Sequence, residues 1–287
     1  MSKIIFNGEL LNEENLMFNQ FKRAVNFGDG FFETIRVING KEMFFEDHFT
    51  RLITGLNFLK IDYPISFNFN FLKKQIHSLL EINNINSGGK IKMYFFRSGL
   101  GTYKPVTNKI SYLIETNKLN SNLYELNKKG YLVSIFNKYK KQINSLSSFK
   151  TSNSLLYVLA SLFAEENNLN DSLILNENNY IIESSNSNIF LLHNQSIITP
   201  PLSSGCINGI MRKVIFSLLK ELNIEIIERN ITENDLEISN EIFLSNVING
   251  VSWISGYNQI RYYNTLSKKL IKKLNQDLVI NRIKREI

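Results

Sequence analysis

The chain has 287 residues, of which 43% are hydrophobic and 21% charged, enough for one large domain or two of ordinary size with a substantial core. A single cysteine, Cys206, excludes an intrachain disulfide framework and fits a reducing compartment. The net charge of +7 comes from dispersed basic residues, and clusters such as NKYKKQ and SKKLIKKLNQ read as solvated faces, so nucleic-acid binding is not expected as the main function.

The N-terminal stretch carries Glu9, Glu13 and Glu14 where a signal peptide would need a clean apolar segment, and no later apolar run approaches the ~20 residues of a membrane span. A soluble, cytoplasmic protein without a membrane partner is the expectation. KIIFNGEL reads as a strand with a turn at Asn7-Gly8, and GFFETIRVINGKEMFF as a hairpin with Asn39-Gly40 at its tip. Two amphipathic helices, over 48–59 and 68–82, precede the strands KIKMYFFRS and KISYLIETN, which flank the loop GLGTYKPVTN. After Asn117 a polar stretch lacks strong periodicity. Residues 118–130 are therefore expected to link a small N-terminal domain (1–117) to a larger C-terminal domain (131–287).

The second half opens with the strand YLVSIFNKY. A helix follows, capped by Asn153 or Ser152, with Leu155, Leu156, Leu159, Leu162 and Phe163 at helical spacing. SLILNE, YIIES and SNIFLLHN are short strands, and a helix over 208–222 precedes the strands EIIER and EIFLSN. A last helix covers 267–284. Helices and strands mix without strict alternation, which predicts an α+β fold.

Lys150 lies just before the apolar helix. A lysine there is ordinarily an exposed loop residue. The chemical reading is an amine in an apolar pocket, with its basicity lowered enough to form a Schiff base. Lys150 alone does not decide between them. His48, His77 and His193 are far apart in sequence, so no metal is expected.

Four motifs in order settle the matter by likeness: NFGDGFFETIRV with EDHFTRL; FKTSNSLL; IIESSNSNIF; and GCINGIMRKV with LSNVINGVSWI. Spanning nearly the whole chain, they resemble the class IV aminotransferases, the fold-type IV pyridoxal-phosphate enzymes. That family includes branched-chain and D-amino-acid aminotransferases and aminodeoxychorismate lyase. The resemblance implies a two-domain α+β fold with pyridoxal 5'-phosphate in the interdomain cleft, and a homodimer.

By this resemblance Lys150 forms the Schiff base and shuttles a proton between Cα and C4′. Arg51 grips the phosphate with its guanidinium fork, and Glu183 pairs with the pyridine nitrogen. Ile210 and Met211 offer helix N-terminal amides to the phosphate. Asn246, Val247 and Ile248 form a second phosphate-side loop, with contact through backbone because Val247 stands where many branched-chain members carry threonine. Arg212 is either a phosphate ligand or a helix-face residue. Phe32, Arg36, Tyr94 and Arg97 are the substrate candidates, with Arg36 or Arg97 clamping a carboxylate. Leu155 stands where branched-chain enzymes often have a tyrosine that contacts the cofactor.

The implied activity is amino-group transfer between an amino acid, branched-chain-like or D-configured, and a 2-oxo acid such as 2-oxoglutarate. The alternative is 4-amino-4-deoxychorismate lyase, releasing 4-aminobenzoate and pyruvate, and IKMYFFRSG and NGIMR resemble that branch at least as much. Lys150, Glu183 and Arg51 together argue against a purely binding member of the fold.

Overall fold

Both hairpin tips form where Asn-Gly places two successive residues at positive φ, 49° and 94° at Asn7-Gly8 and 52° and 68° at Asn39-Gly40. Such type I′ turns match the twist of the strands they join. The computed structural model describes residues 2–15 and 21–285, with side chains to residue 276. It divides into two units, Met1–Leu123 with Phe149–Asn153, and Tyr124–Ser148 with Ser154–Ile287.

The first unit contains β1 (Lys3–Phe6), β2 (Glu9–Asn12), α1 (Lys22–Phe27), β3 (Gly30–Ile38), β4 (Lys41–Glu42), α2 (Phe45–Phe58), α3 (Phe69–Ile82), β5 (Gly89–Arg97) and β6 (Ile110–Lys118). Among the described residues the strands form one antiparallel sheet ordered β2-β1-β6-β5-β3-β4. Its core joins Phe31, Ile35, Ile91, Met93 and Phe95 to Leu52 and Leu56 of α2 and Leu72, Ile76 and Leu79 of α3. Strand alternation leaves Phe32, Thr34 and Arg36 on the opposite face.

The expected 118–130 stretch contains one division of the chain but not the others. The boundary falls after Leu123, and residues 149–153 return to the first unit. The return is made by backbone: Phe32 N donates to Lys150 O at 3.0 Å, Ser152 N donates to Gly30 O at 2.9 Å, and Phe31 bridges Thr151. Phe149 stacks on Phe58 at 4.6 Å. No sequence period marks so short a docking segment.

The second unit contains β7 (Tyr131–Lys141), α4 (Leu155–Glu166), β8 (Asp171–Asn176), β9 (Ile181–Ser184), β10 (Asn188–His193), β11 (Ser196–Thr199), α5 (Ile210–Glu221), β12 (Ile226–Glu228), α6 (Glu233–Ile238), β13 (Glu241–Asn246), β14 (Gly250–Tyr257), β15 (Ile260–Arg261) and α7 (Thr265–Arg285). The strands run β12-β11-β10-β13-β14-β7-β8-β9, with β15 on β14. An Asn188↔Glu183 pair joins β9 back to β10, so six of these strands close into a ring without a free edge. Val133, Leu173, Ile189, Ile242 and Ile254 belong to the core of this unit.

The helix after Lys150 departs from expectation at its start. Its first residue follows Ser154, and neither Ser152 nor Asn153 caps it. Asn153 instead donates its amide to Gly28 O at 3.3 Å. A Cβ on Gly28, which has φ of 58°, would lie 2.4 Å from Asn153 Oδ1, so the close approach requires glycine. Helical spacing also misassigns part of the apolar face. Ala160 and Ala164 are buried, whereas Leu155, Val158 and Leu162 are exposed.

Candidate active site

Lys150 owes its position to β3. With its carbonyl bonded to Phe32 N, the side chain is half-buried and its Nζ lies 4.8 Å from the centroid of the Phe32 ring. An ammonium is attracted to an aromatic face. Lys92 of β5 reaches the same ring, at 5.5 Å, and the Tyr94 ring at 4.7 Å. Phe32 and Tyr94 are register partners, so these two candidates are neighbours on the Lys150 face.

Arg51 is held from the other face of β3. Glu33 alternates with Phe32 and is buried beneath α2, where His48 and Arg51 lie one turn apart. Arg51 donates Nε to Oε1 at 2.7 Å and an Nη to Oε2 at 2.6 Å, and His48 Nδ1 is 2.7 Å from Oε2. Burial pushes the Glu33 carboxyl up, but the Arg51 charge and the His48 hydrogen bond outweigh it and bring the group down to about 2. The result is a guanidinium oriented by a bidentate ionic contact. Sequence reading singled out Arg51 and missed Glu33, although it lies inside the quoted ETIRV segment.

Glu183 sits on the β9 strand that closes the ring and is 2% exposed. Its Oε1 accepts from Lys141 Nζ at 2.7 Å and Tyr157 OH at 2.8 Å, and its Oε2 accepts from Ile207 N at 2.8 Å. Burial and then the Glu183 charge push the Tyr157 hydroxyl far up, so it remains a donor. Neither Lys141 nor Tyr157 was legible as a site residue. Tyr157 falls two positions after Leu155, the place where likeness to branched-chain enzymes directs attention, and Leu155 itself is exposed.

Ile207 leads into α5. Gly209 caps this helix without any side-chain acceptor, so its first amides, including those of Ile210 and Met211, keep the character of an anion site. The approach is tight: Asn188 Nδ2 donates to Ile207 O at 2.9 Å, and a Cβ on Gly209 would fall 2.1 Å from Asn188 Oδ1. Arg212 is a helix-face residue, donating to Pro200 O and Glu228 and covering Phe216.

The 246–249 turn is organised by Asn246. Its Oδ1 accepts from Ile248 N at 3.0 Å and Asn249 N at 2.9 Å, and its Nδ2 donates to Ser187 Oγ at 2.8 Å. Val247 O accepts from Tyr124 OH at 3.0 Å. Among the described residues the buried hydroxyl of Ser245, next to Asn246, has no hydrogen-bond partner. Buried orphan hydroxyls are uncommon and fit a polar occupant.

The two proposed carboxylate clamps are engaged by the protein. Arg36 donates to Ser121 O at 2.6 Å and Leu123 O at 3.0 Å. Arg97 donates to Asp29, to Leu59 O and Lys60 O, and to Asn108 Oδ1. Among the described residues no group of three or more His, Cys, Asp or Glu could hold a metal. Nor is any described helix long and apolar enough to cross a membrane.

Residues 30–257 match the family model for amino-transferase class IV. The chain belongs to this family. Among class IV aminotransferase relatives it is 27% identical to a putative branched-chain-amino-acid aminotransferase of Methanocaldococcus jannaschii, over 85% of this chain and 83% of that one. It is 25% identical to an aminodeoxychorismate lyase of Bacillus subtilis, over 78% of this chain and 75% of that one. The fold matches branched-chain amino acid aminotransferase from Thermobaculum terrenum, solved in its pyridoxal-phosphate form. The TM-score is 0.86 and the identity 18%, covering 98% of this chain and 94% of that chain. Class IV membership implies pyridoxal phosphate as cofactor, and the uncapped α5 amides, the buried Glu183 carboxylate and the orphan Ser245 hydroxyl suit a phosphate and a protonated ring nitrogen.

Proposed function

We propose that this protein is a cytoplasmic pyridoxal-phosphate aminotransferase that moves an amino group between an amino acid, branched-chain-like or D-configured, and a 2-oxo acid such as 2-oxoglutarate. The observation that carries this reading is Lys150, fixed by backbone bonds to β3 with its amine over the Phe32 ring. An amine so placed is oriented by the strand on which its backbone docks.

When bound, the cofactor supplies an aldehyde for the amine and a ring that takes up electron density from the substrate's Cα. Lys150 would be the residue that holds the aldehyde, and its Nζ would carry the proton to and from the substrate's Cα. Arg51, aligned by Glu33, would hold the phosphate together with the amides of Ile210 and Met211 and the backbone of Asn246, Val247 and Ile248. Glu183 would hold the proton on the ring nitrogen, using the acceptor capacity left on Oε2. Phe32 and Tyr94 wall the substrate, with Arg36 on the same face of the sheet, while Arg97 alternates to the helix-covered face and bonds the end of α2. The protein is a homodimer in this reading. The exposed Leu155, Val158 and Leu162, at i, i+3 and i+7 on α4, support an apolar contact surface.

The lyase is the second reading, supported by similarity to the Bacillus subtilis enzyme and by the absence of a tyrosine at Leu155. One experiment separates them. Borohydride reduction of the cofactor-loaded protein, followed by peptide mapping, is expected to place the label on Lys150. A panel of L- and D-amino acids without acceptor should convert the cofactor to its amine form, and 2-oxoglutarate should restore the original spectrum. Label on another lysine would overturn the site. No half-reaction with any amino acid, beside steady pyruvate release from aminodeoxychorismate, would replace the transferase with the lyase.

A further inference from the structure

Lys141 ends β7, 11% exposed, with its ammonium between Glu183 Oε1 at 2.7 Å and Ser147 O at 2.9 Å and 5.3 Å from the Tyr157 ring centroid. A surface lysine would have no reason to be drawn into this position, because holding a long side chain so firmly costs rotamer entropy. The carboxylate it meets is the one that the proposed function assigns to the cofactor's ring nitrogen, and the inference rests on that reading. Oε1 already takes two donors, the ammonium and the Tyr157 hydroxyl, which fills its two lone pairs. Among the described residues Oε2 takes the Ile207 amide alone.

We infer that Lys141 is a positioning residue that sets the charge of the ring-nitrogen site: it directs the ring's N–H to Oε2 of Glu183 and offsets part of the negative charge that would hold that proton. A carboxylate alone would favour the protonated ring with its full charge. A carboxylate with a lysine amine paired to its far oxygen does so with less, so the electron demand of the bound cofactor is moderated by a residue that never touches it. The effect is electrostatic and acts through Glu183.

The other groups around the pair leave Lys141 as the charge that matters. Tyr157 of α4 is held as a neutral phenol by burial and Glu183. Cys206, on the approach to α5, is buried, and burial followed by the Glu183 charge pushes its thiol up to about 12. Arg212 of α5 is paired with Glu228. Glu177, after β8, meets Lys141 through backbone, its N donating to Lys141 O, and accepts Ile143 N with its side chain.

The test is a pH titration of the visible absorbance of the cofactor-loaded protein, with cofactor affinity and thermal unfolding measured alongside. Lys141→Gln keeps a donor to Glu183 without the charge and is expected to move the absorbance midpoint upward by on the order of one pH unit, because removing a neighbouring cation favours the protonated form. Lys141→Arg should restore the wild-type midpoint. Tyr157→Phe removes a hydrogen bond but no charge and should leave it in place. A Lys141→Gln midpoint equal to that of the wild type would overturn the inference. So would loss of cofactor binding in Lys141→Gln or its failure to fold, since either would make Lys141 a holding or structural group. A wild type that takes up no pyridoxal phosphate would overturn the underlying function and this inference with it, an outcome distinct from a loaded wild type and variant that titrate alike.

Discussion

Replacing Glu33 by glutamine removes a charge while keeping the size of the side chain, and the consequence can be worked out from its surroundings. The carboxyl lies at about 2 in the folded protein against an ordinary 4.5, because Arg51 and His48 outweigh burial. At roughly 1.4 kcal/mol per unit, that depression corresponds to about 3 kcal/mol of stability at neutral pH. Since the folded value is the lower one, the unfolded chain takes up the proton first as pH falls. The contribution is therefore complete above about 4.5 and lost progressively towards 2. Glu33→Gln of the cofactor-free protein should be about 3 kcal/mol less stable than wild type at pH 7, and the gap should narrow by roughly 1 kcal/mol at pH 4. Equilibrium urea unfolding followed by far-UV circular dichroism measures both. A gap below about 1 kcal/mol at pH 7, or one as wide at pH 4, would refute the account of Arg51 as a guanidinium held by a buried charge.

Two further perturbations address the second unit. Gly209→Ala would bring a Cβ within 2.1 Å of Asn188 Oδ1, displace the start of α5 and weaken pyridoxal-phosphate binding by at least about tenfold; a fluorescence titration with unchanged affinity would argue against the α5 amides as phosphate donors. Cys206, 1% exposed and with its thiol pushed up to about 12, should resist iodoacetamide in the native protein at pH 8 and react in urea. Rapid alkylation of the native protein would contradict its burial beside Glu183.

Local chemistry made the turns at Asn7-Gly8 and Asn39-Gly40 legible, because positive φ and strand twist are decided by adjacent residues. The α+β class followed from periodicity, and the family was reached through motif likeness and agrees with the matched residues 30–257. What escaped the sequence depends on partners far along the chain. Arg36 and Arg97 looked available for a carboxylate, and their carbonyl partners lie 37 to 87 residues away. Tyr157 and Lys141 reach Glu183 across 26 and 42 residues, with no spacing rule to join them. The helix after Lys150 is apolar on nearly every side, so its period could not say that Leu155 and Leu162 face outward.

The five residues around Lys150 belong to one unit while the chain on either side of them belongs to the other. Any attempt to exchange the halves with those of a relative as two consecutive gene fragments would therefore carry the reactive lysine on one fragment and its β3 anchor on the other. A cut after Leu123 gives a second fragment in which Ser152 has lost its Gly30 contact and Lys150 has lost its Phe32 backbone contact and the aromatic ring beneath its amine. A working chimera has to graft residues 149–153 together with β3. Recombination within the family is thus constrained to three junctions where the domain count alone would suggest one, and the lysine is inherited with the strand that aims it.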